Sequence, residues 1–398
     1  MINLRKTFTD ALEFVNNKYC IIRLDLNVPK VENKFTDLTR LEKIIPTLIE
    51  LSSRGAKTII ISHMGRPDGL NDKDLSLKAL STEIEKNLNR KVEFCSEDIF
   101  SKKIEQKIKS IRPSTFLLLE NIRFYSQEES NESTFSKRLS SFGDIYINES
   151  FSCSHRSHAS IEGIPKYLPS FPGKLFEDEL RNMGKLMKGL EIDTKSITIL
   201  GGAKISSKLN IIENLAQKFS KILIGGAMAN TFLASKGINI GKSLSESKME
   251  NDALEILNKY DSKIILPEDV ILVKSIDDKE NFASDVQNIN SDMIIVDIGP
   301  RTRKRYYNEI LKSSSVLWNG PLGLFETPPF DNGTKYVGNA IKNFKNKRSF
   351  SAAGGGDTIS CLKQTEVIDY FDFISTGGGA FLELIEGKRL PGIEILNN

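Results

Sequence analysis

The sequence is poor in the residues that build metal centres and disulfide frameworks. Its 398 residues include three histidines and four cysteines, and the cysteines lie far apart with no CxxC pair. Such a composition makes a zinc site improbable, and scattered cysteines are typical of a reducing compartment. The N-terminus lacks the apolar core of a signal peptide, and no stretch approaches 18 apolar residues. We therefore expect a cytoplasmic protein with no membrane association.

The sequence also lacks a strong excess of either charge. Fifty-five Lys and Arg against 52 Asp and Glu give a formal net charge of +3, which argues neither for a nucleic-acid partner nor for a membrane surface, and we expect neither. A hydrophobic content of 39% with 27% charged residues is typical of globular proteins. The length exceeds what one ordinary core accommodates and suits two domains.

Three familiar motifs are absent. The stretch "GINIGKS", residues 237–243, has three residues between its glycines where a P-loop has four. No GxGxxG opens a βαβ unit, which weakens a dehydrogenase interpretation. "HRS" at His155 has no accompanying "DFG", so it is not a protein-kinase catalytic loop.

Short apolar runs do recur, and each ends in glycine or turn residues. They include "YCIIRLDLNVP", "KTIIISHMGRP", "KILIGGAM", "MIIVDIGP" and "SVLWNGPLG". Stretches of helical period lie between them, at 39–53, 76–88 and 204–219. This alternation predicts an α/β fold of parallel sheets covered on both faces, with ligands at the carboxyl ends of the strands. Apolar positions from Leu175 to Leu190 predict one long helix that connects two such domains.

In the first half, cationic side chains follow several predicted strands. They are Arg23, Arg40, His63, Arg66, Arg123 and Arg156. Each alone is most simply a surface or salt-bridge residue. Together they suggest a multiply anionic ligand, because the guanidinium fork fits phosphate and carboxylate oxygens. Asp25 and Asn27 lie among them and suit hydroxyl groups, so the sequence indicates a sugar or acid phosphate.

In the second half, "LGGAKISSKLN" carries Lys204 and Lys208 after a glycine turn. Their spacing of four predicts one face of a helix, where they form either a solvated pair or a phosphate site. "LWNGPLGLFE" contains the only tryptophan and ends at Glu326, which could accept hydrogen bonds from ribose hydroxyls. A structural turn is the alternative interpretation of its glycines.

The stretch "GGGDTIS", Gly354–Ser360, predicts a helix that begins at glycines. Free amides at Gly355 and Gly356 suit phosphate oxygens, since a helix N-terminus favours negative charge. Asp357 would repel phosphate, so it is interpreted as a ligand of Mg²⁺ or, alternatively, as a helix N-cap. "STGGGAFLEL" predicts a second helix of this kind.

With these stretches in order, the chain resembles phosphoglycerate kinase along nearly its whole length. The further matches are "LLLENIRF", "YINESFSCSHRSH", "LPEDV" and "STGGGAFLELIEGKRLPG". The resemblance implies two Rossmann-like parallel-sheet domains, joined by a helix, with a cleft between them. It implies a Mg²⁺-dependent phosphotransferase that interconverts 1,3-bisphosphoglycerate plus ADP with 3-phosphoglycerate plus ATP, in glycolysis and gluconeogenesis. It also implies a monomer whose domains close by hinge bending for direct in-line transfer.

The resemblance implies the following domains: 1–173 for phosphoglycerate, 174–195 as connecting helix and linker, 196–380 for the nucleotide, and 381–398 returning to the N-terminal domain. The implied phosphoglycerate ligands are Asp25, Asn27, Arg40, His63, Met64, Gly65, Arg66, Arg123 and Arg156. The implied nucleotide ligands are Lys204, Lys208, Asn319, Glu326, Gly355, Gly356, Asp357 and Thr358, with Asp357 on Mg²⁺. Arg40, Lys204 and Gly356 are the implied catalytic residues.

Some positions depart from the family pattern. Glu149 stands where Asp is usual, Ser152-Cys153 where Gly-Thr is common, Ala227 where a third glycine is common, and Glu268 where valine is usual. Two other functions stay open from the residues alone: a kinase for another anionic acceptor, and a catalytically silent binder of phosphate ligands.

Overall fold

The computed structural model describes residues 4–31, 34–192, 195–278, 280–344 and 349–397. The chain divides into two compact units. Unit 1 comprises Met1–Arg181 and Arg389–Asn398, and unit 2 comprises Asn182–Lys388. None of the described helices is long and apolar enough to span a membrane.

Unit 1 is built on a six-stranded parallel sheet in the order β5-β6-β4-β1-β7-β8, and it also contains a two-stranded antiparallel sheet, β2-β3. Its strands are β1 (Tyr19–Arg23), β2 (Lys30–Val31), β3 (Lys34–Phe35), β4 (Lys57–Ile61), β5 (Val92–Cys95), β6 (Thr115–Leu119), β7 (Ile145–Asn148) and β8 (Ser170–Pro172). Its helices are α1 (Phe8–Phe14), α2 (Thr39–Ser53), α3 (Lys78–Leu88), α4 (Lys102–Lys109), α5 (Ser126–Glu129) and α6 (Ser133–Ser140).

Successive residues of the central strands enter two separate cores, because side chains alternate between the faces of a strand. Cys20 and Ile22 of β1 pack in one core, while Ile21 packs in the other. Strand β6 repeats the pattern, with Leu118 in the first core and Leu117 in the second. Both faces of the sheet are therefore buried, which explains the continuous apolar runs in the sequence.

Helix α7 (Lys174–Ile192) begins in unit 1 and ends in unit 2, as the single long helix predicted from Leu175–Leu190. The C-terminal helix α15 (Pro391–Glu394) belongs to unit 1. There the Gly392 amide donates to the Ser154 carbonyl at 2.9 Å. The finer domain boundaries given above stay a prediction.

Unit 2 contains a second six-stranded parallel sheet, in the order β11-β10-β9-β15-β16-β17. Its strands are β9 (Ser196–Leu200), β10 (Lys221–Ile224), β11 (Ile264–Ile265), β12 (Asp269–Val273), β13 (Phe282–Asp285), β14 (Ile294–Ile298), β15 (Ser315–Asn319), β16 (Phe350–Gly354) and β17 (Phe373–Ser375). Its helices are α8 (Leu209–Lys218), α9 (Gly226–Ser235), α10 (Glu250–Tyr260), α11 (Pro300–Leu311), α12 (Asn332–Phe344), α13 (Gly356–Gln364) and α14 (Gly379–Ile385). The prediction of two parallel-sheet α/β domains is confirmed.

One strand predicted for the parallel series lies elsewhere. β14, from "MIIVDIGP", pairs antiparallel with β12, the middle strand of a three-stranded sheet that also contains β13. No α-helix is described between β12 and β14, and antiparallel strands need no helical crossover. The alternation of strand and helix breaks at this point, which an apolar run by itself does not reveal.

The helix predicted over 204–219 begins only at Leu209, so Lys204 and Lys208 do not share a helical face. Lys208 is the N-cap, with φ −126° and ψ 0°, and Lys204 lies in the preceding loop. Glu246 holds this loop, because its carboxylate accepts from the Ser206 amide at 2.9 Å and the Ser206 hydroxyl at 2.6 Å. The tertiary contact replaces the first helical turn that the spacing predicted.

Tyr306 ties α11 to the parallel sheet of unit 2. Its hydroxyl lies 2.6 Å from the Ile224 carbonyl and 2.9 Å from the Ile265 carbonyl, and its side chain is fully buried. We expect Tyr306→Phe to lower the free energy of unfolding by about 1–2 kcal/mol, since it leaves buried acceptors without a donor. Urea unfolding measures the loss.

The matched control is Tyr307→Phe on the same helix. The Tyr307 hydroxyl accepts from the exposed Asn343 amide at 2.7 Å, so we expect a smaller change there. Equal stabilities of the Tyr306→Phe variant and the parent protein would contradict this role.

Candidate functional site

The carboxyl ends of four adjacent strands in unit 1 carry the predicted anion-binding residues. Strands β6, β4, β1 and β7 are neighbours and run parallel, so their carboxyl ends meet at one edge. Asp25 and Asn27 follow β1, His63–Arg66 follow β4, Arg123 follows β6 and Arg156 follows β7. Residues separated by up to 131 positions in the sequence are thereby brought to one edge.

Arg40, in the first turn of α2, pairs with Asp25 across this edge. Its Nη1 lies 2.9 Å from the Asp25 carboxylate and donates to the Asn27 carbonyl at 3.0 Å. The Ser152 hydroxyl donates to the same carboxylate. Arg40 keeps about a third of its side chain exposed, so it is positioned and still accessible.

A second chain of contacts joins Asn27, Gly65 and Arg123. The Gly65 amide donates to Asn27 Oδ1 at 2.9 Å, and Arg123 Nη1 donates to the Gly65 carbonyl at 2.7 Å. Gly65 has φ +63°, and a Cβ there would lie 2.7 Å from Leu75 Cδ2. Only glycine fits this turn without strain.

Two of the predicted arginines remain available to a ligand. Arg66 is exposed and Arg156 is half-buried, and neither forms an ion pair within the described ranges. Arg123 is different, since it is buried and pairs with Glu129 at 3.1 Å. Guanidinium groups without an ion-pair partner at this edge can donate paired hydrogen bonds to phosphate or carboxylate oxygens.

His63 is buried here in its neutral form. Burial and the charges of Arg23, Arg123 and Arg156 hold its pKa well below the usual range, and Arg23 Nη2 lies 3.0 Å from its Nδ1. Burial and the same arginines lower the pKa of His158 to about 3. The positive charge of the site therefore resides on guanidinium groups, and imidazole contributes neutral hydrogen-bonding groups.

Sequence reasoning missed Asn121, which organises this edge. It is fully buried, its Nδ2 donates to the Met64 carbonyl at 2.8 Å and to the Leu75 carbonyl at 2.9 Å, and its Oδ1 accepts from the Arg123 amide at 3.1 Å. An asparagine two residues after a buried strand was a usable signal. Glu128 was also missed; its buried carboxylate accepts from the Ser160 amide at 2.9 Å.

In unit 2, glycines let three strand ends approach one another. Gly202 follows β9, Gly226 follows β10 and Gly320 follows β15. Gly226 has φ +64°, and a Cβ there would lie 2.5 Å from the Gly202 amide nitrogen. This close backbone approach exposes peptide groups where side chains would otherwise stand.

Helix α13 begins at Gly356, as predicted, with Gly355 as its N-cap at φ +107°. Because Gly355 is the N-cap, the alternative reading of Asp357 as N-cap is wrong. Asp357 lies in the first turn and is exposed. The helix N-terminus thus presents bare amides beside one accessible carboxylate.

Lys208 reaches into the same region. Its Nζ donates to the Gly201 carbonyl at 2.7 Å and lies 3.4 Å from the Asn319 carbonyl. Burial lowers its pKa to about 8, although the Asp357 charge acts in the opposite direction. A lysine ammonium held by carbonyls can transfer its hydrogen bonds to phosphate oxygens.

Asn319 and Thr358 are both buried and hold the glycine loops together. Asn319 Nδ2 donates to the Gly354 carbonyl at 2.7 Å, and Thr358 Oγ1 accepts from the Gly320 amide at 2.8 Å. Asn319 Oδ1 has no hydrogen-bond partner among the described residues. It can therefore still accept a hydrogen bond.

A cavity of about 390 Å³ lies in unit 2, within the size range of small-molecule sites. Two predicted nucleotide ligands, Glu326 and Asp357, line it together with Gly202 and Gly226. Lys208 adjoins it through Gly202, whereas Lys204 is exposed in the loop before α8 and does not line it. Apolar side chains that sequence reasoning missed complete the wall: Leu233, Leu244, Val270, Ile294 and Ile295.

The departures from the family pattern fall at both sites. Glu149 is buried with its pKa raised by burial to about 8, and it accepts from the Leu175 amide at 3.1 Å and the Phe176 amide at 3.3 Å in the first turn of α7. Cys153 is buried beside Ser152, Ala227 lines the cavity, and Glu268 pairs with Arg305 at 3.6 Å. None of them displaces a predicted ligand.

Comparison with known proteins agrees with this arrangement. The profile of the phosphoglycerate kinase family matches residues 9–388. A phosphoglycerate kinase from Orientia tsutsugamushi (strain Ikeda) is 46% identical over 410 residues, covering 100% of this chain and 98% of the relative. One from Allorhizobium ampelinum is 41% identical over 395 residues, covering 97% of each.

Solved structures show the same fold. Phosphoglycerate kinase from Coxiella burnetii superposes with a TM-score of 0.86 at 32% identity, covering 96% of each chain. That from Pyrococcus horikoshii gives a TM-score of 0.84 at 31% identity, again over 96% of each chain. Sequence, fold and the two candidate sites lead to one conclusion: the chain belongs to the phosphoglycerate kinase family.

Proposed function

We propose that the chain interconverts 1,3-bisphosphoglycerate plus ADP with 3-phosphoglycerate plus ATP, with the acid held by unit 1 and the nucleotide by unit 2. This division between the units is supported by the different charged and polar groups that each unit presents. Unit 1 gathers guanidinium groups at one sheet edge, and unit 2 joins a cavity to a glycine-led helix and an accessible carboxylate. Glycolysis and gluconeogenesis are the setting that this reaction implies.

The phosphoglycerate ligands are proposed on unit 1. Arg66, Arg123 and Arg156 would bind phosphate or carboxylate oxygens, and Asp25 and Asn27 would bind the hydroxyl group. His63, Met64 and Gly65 would form the wall beside them. Neutral His63 suits this role, because an uncharged imidazole can donate or accept without competing with the arginines.

The nucleotide ligands are proposed on unit 2. The amides of Gly355 and Gly356, with Lys204 and Lys208, would bind phosphate oxygens, and Glu326 would accept from ribose hydroxyls. Asn319 and Thr358 would support the glycine loop that carries these amides. The unsatisfied Asn319 Oδ1 gives that loop one further acceptor for the nucleotide.

A Mg²⁺ ion bound with the nucleotide completes the proposal. Asp357 fits as its protein ligand, since its carboxylate is exposed at the start of α13. In the described residues no group of three metal-ligating side chains includes Asp357. A single carboxylate matches the habit of Mg²⁺, which takes its remaining ligands from phosphates and water and neutralises their charge.

The residues of the chain would orient the substrates and stabilise negative charge, and none of them would act as a general base. The acceptor carboxylate of 3-phosphoglycerate is already ionised, so no proton needs to be removed. Arg40, Lys204 and the Gly356 amide would stabilise charge on the migrating group. Direct in-line transfer requires donor and acceptor to meet, so the proposal includes hinge bending that closes the units around both substrates and excludes water.

We further propose that the chain works as a cytoplasmic monomer. All the proposed ligands come from one chain, so no second copy is needed to complete a site. The four cysteines are free thiols and buried, which suits a reducing compartment.

A coupled assay tests the proposal. Purified protein with 1,3-bisphosphoglycerate, ADP and Mg²⁺ should form ATP, and a chelator should abolish the activity until Mg²⁺ is restored. Sugar phosphates offered with ATP in place of 3-phosphoglycerate should give no phosphoryl transfer. Saturable binding of both ligands without turnover would overturn the proposal.

The Arg40→Ala variant tests whether Arg40 acts in phosphoryl transfer or in nucleotide binding. We expect kcat to fall by about 10²–10³, because the variant loses a donor to the migrating group. The KM for nucleotide should change by about twofold or less, since Arg40 belongs to unit 1. Steady-state kinetics measures both values.

The control for this variant is Arg54→Ala at the exposed C-terminal end of the same helix, which should leave both values unchanged. If Arg40→Ala weakened nucleotide binding as much as it reduced turnover, its assignment to the transferred group would be wrong.

Nucleotide affinity should fall at alkaline pH. The Lys208 ammonium has a pKa of about 8 in the free protein, below the 10.5 of an ordinary lysine, so it loses its charge as the pH rises through 8. Bound phosphate favours the charged form, so above pH 8 the Kd for ADP should increase by at most about tenfold per pH unit. Calorimetric titration between pH 7 and 9.5 measures this slope.

Lys208→Arg provides the comparison, because a guanidinium stays charged throughout this range. The Kd for ADP of this variant should vary less with pH than that of the parent protein. Parallel pH profiles for the two proteins would show that Lys208 does not carry the effect.

A further inference from the structure

Asn230 is a polar residue in the largely apolar part of the unit 2 cavity. It lies on α9, and Ala229 and Leu233 of the same helix also line the cavity. Its side chain is almost fully buried, at 2% exposure. A buried amide needs partners for both its nitrogen and its oxygen.

The orientation of this amide follows from the hydrogen bond that its nitrogen forms. Asn230 Nδ2 donates to the Leu244 carbonyl at 3.0 Å. The reversed orientation would set Oδ1 against that carbonyl, two acceptors with no hydrogen between them. Asn230 Nδ2 therefore bonds to the Leu244 carbonyl, and Asn230 Oδ1 is the other polar atom of the side chain.

Asn230 Oδ1 is buried and has no hydrogen-bond partner among the described residues. A buried acceptor without a donor is costly, and native structures retain few of them. Leu233, Leu244, Val270 and Ile295 of the cavity lining carry no donor, and the Lys242 ammonium, which also lines the cavity, forms no hydrogen bond with this oxygen. A ligand that brings an N–H group into this part of the cavity would satisfy the oxygen.

The apolar lining fits the faces of a planar base. Leu244 is 62% exposed and Ile276 is 46% exposed, and both line the cavity. A flat, weakly polar ring covering them would remove apolar surface from water, which is favourable. This part of the cavity therefore suits a nucleobase better than a phosphate or a sugar.

We propose that Asn230 Oδ1 accepts a hydrogen bond from the exocyclic 6-amino group of adenine and so makes the chain select adenine over 6-oxo purines. The inference rests on the proposed function, in which this cavity binds the nucleotide. Guanine and hypoxanthine carry a carbonyl oxygen at the same position. In the same pose they would set acceptor against acceptor and leave Asn230 unsatisfied.

Binding of nucleoside diphosphates to the parent protein is the first test. ADP and IDP share phosphates and ribose and differ at the 6-position, where IDP has the oxo group and a protonated N1. Calorimetry with Mg²⁺ should give a Kd for IDP at least about tenfold above that for ADP. Purine riboside diphosphate, which has neither group at that position, should bind with an intermediate Kd.

Asn230→Leu is the second test, since leucine has a similar size and no polar atoms. The ratio of the IDP and ADP dissociation constants should fall to within about twofold. The control is Thr231→Val, the next residue on α9, whose buried hydroxyl accepts from the Glu246 amide at 3.0 Å and does not line the cavity. Thr231→Val removes a neighbouring hydrogen bond. The ratio of its IDP and ADP dissociation constants should equal that of the parent protein.

Equal affinity of the parent protein for ADP and IDP would overturn the inference, whether or not Asn230→Leu folds. A ratio that persists in folded Asn230→Leu would do the same. Either result, accompanied by normal turnover with ATP and 3-phosphoglycerate, would leave the proposed function standing. Absence of binding by every nucleotide, together with absence of turnover, would instead remove the proposed function itself.

Discussion

Parallel pairing of the strands is the constraint on which both candidate sites depend. Strands that run the same way end at the same edge, and loops at that edge carry side chains from distant parts of the chain. In unit 1 this edge brings Asp25, His63, Arg123 and Arg156 together. In unit 2 it brings the glycine turns after β9, β10 and β15 close enough that Gly226 leaves no room for a Cβ. The chemistry of each site follows from what its edge presents, guanidinium groups in one unit and backbone amides in the other.

Buried polar groups then set the geometry of these edges. Asn121 ties the loops after β4 and β6, and Asn319 ties the carboxyl ends of β15 and β16. Burial also adjusts charge: it keeps His63 neutral and lowers the pKa of Lys208 to about 8. Asn319 and Asn230 each keep one acceptor oxygen without a partner in the described part of the chain. A buried oxygen without a partner is expected where a bound ligand supplies the hydrogen-bond donor.

Short-range patterns in the sequence were sufficient to predict much of this fold. The apolar runs of β1, β4, β6, β9 and β15, the helix α7 and the glycine-led start of α13 are all visible as short-range periodicity or turn chemistry. These patterns failed at β14, because an apolar run does not show which neighbouring strand it pairs with. They failed again at Lys204 and Lys208, where Glu246 holds the preceding loop out of the helix. Asn121 and Asn230 were missed because their importance lies in partners remote in sequence.

The sequence by itself determined which residue types follow which strands, and with them the class of ligand: arginines for an anionic acid, glycines and an aspartate for nucleotide phosphates and their metal. That information is local, since each motif lies within about a dozen residues of its strand. The tertiary structure decided the pairing of Arg40 with Asp25, the burial that neutralises His63 and the apolar cavity beside Asn230. These depend on strand order and side-chain packing, which arise only when separate segments exclude water together.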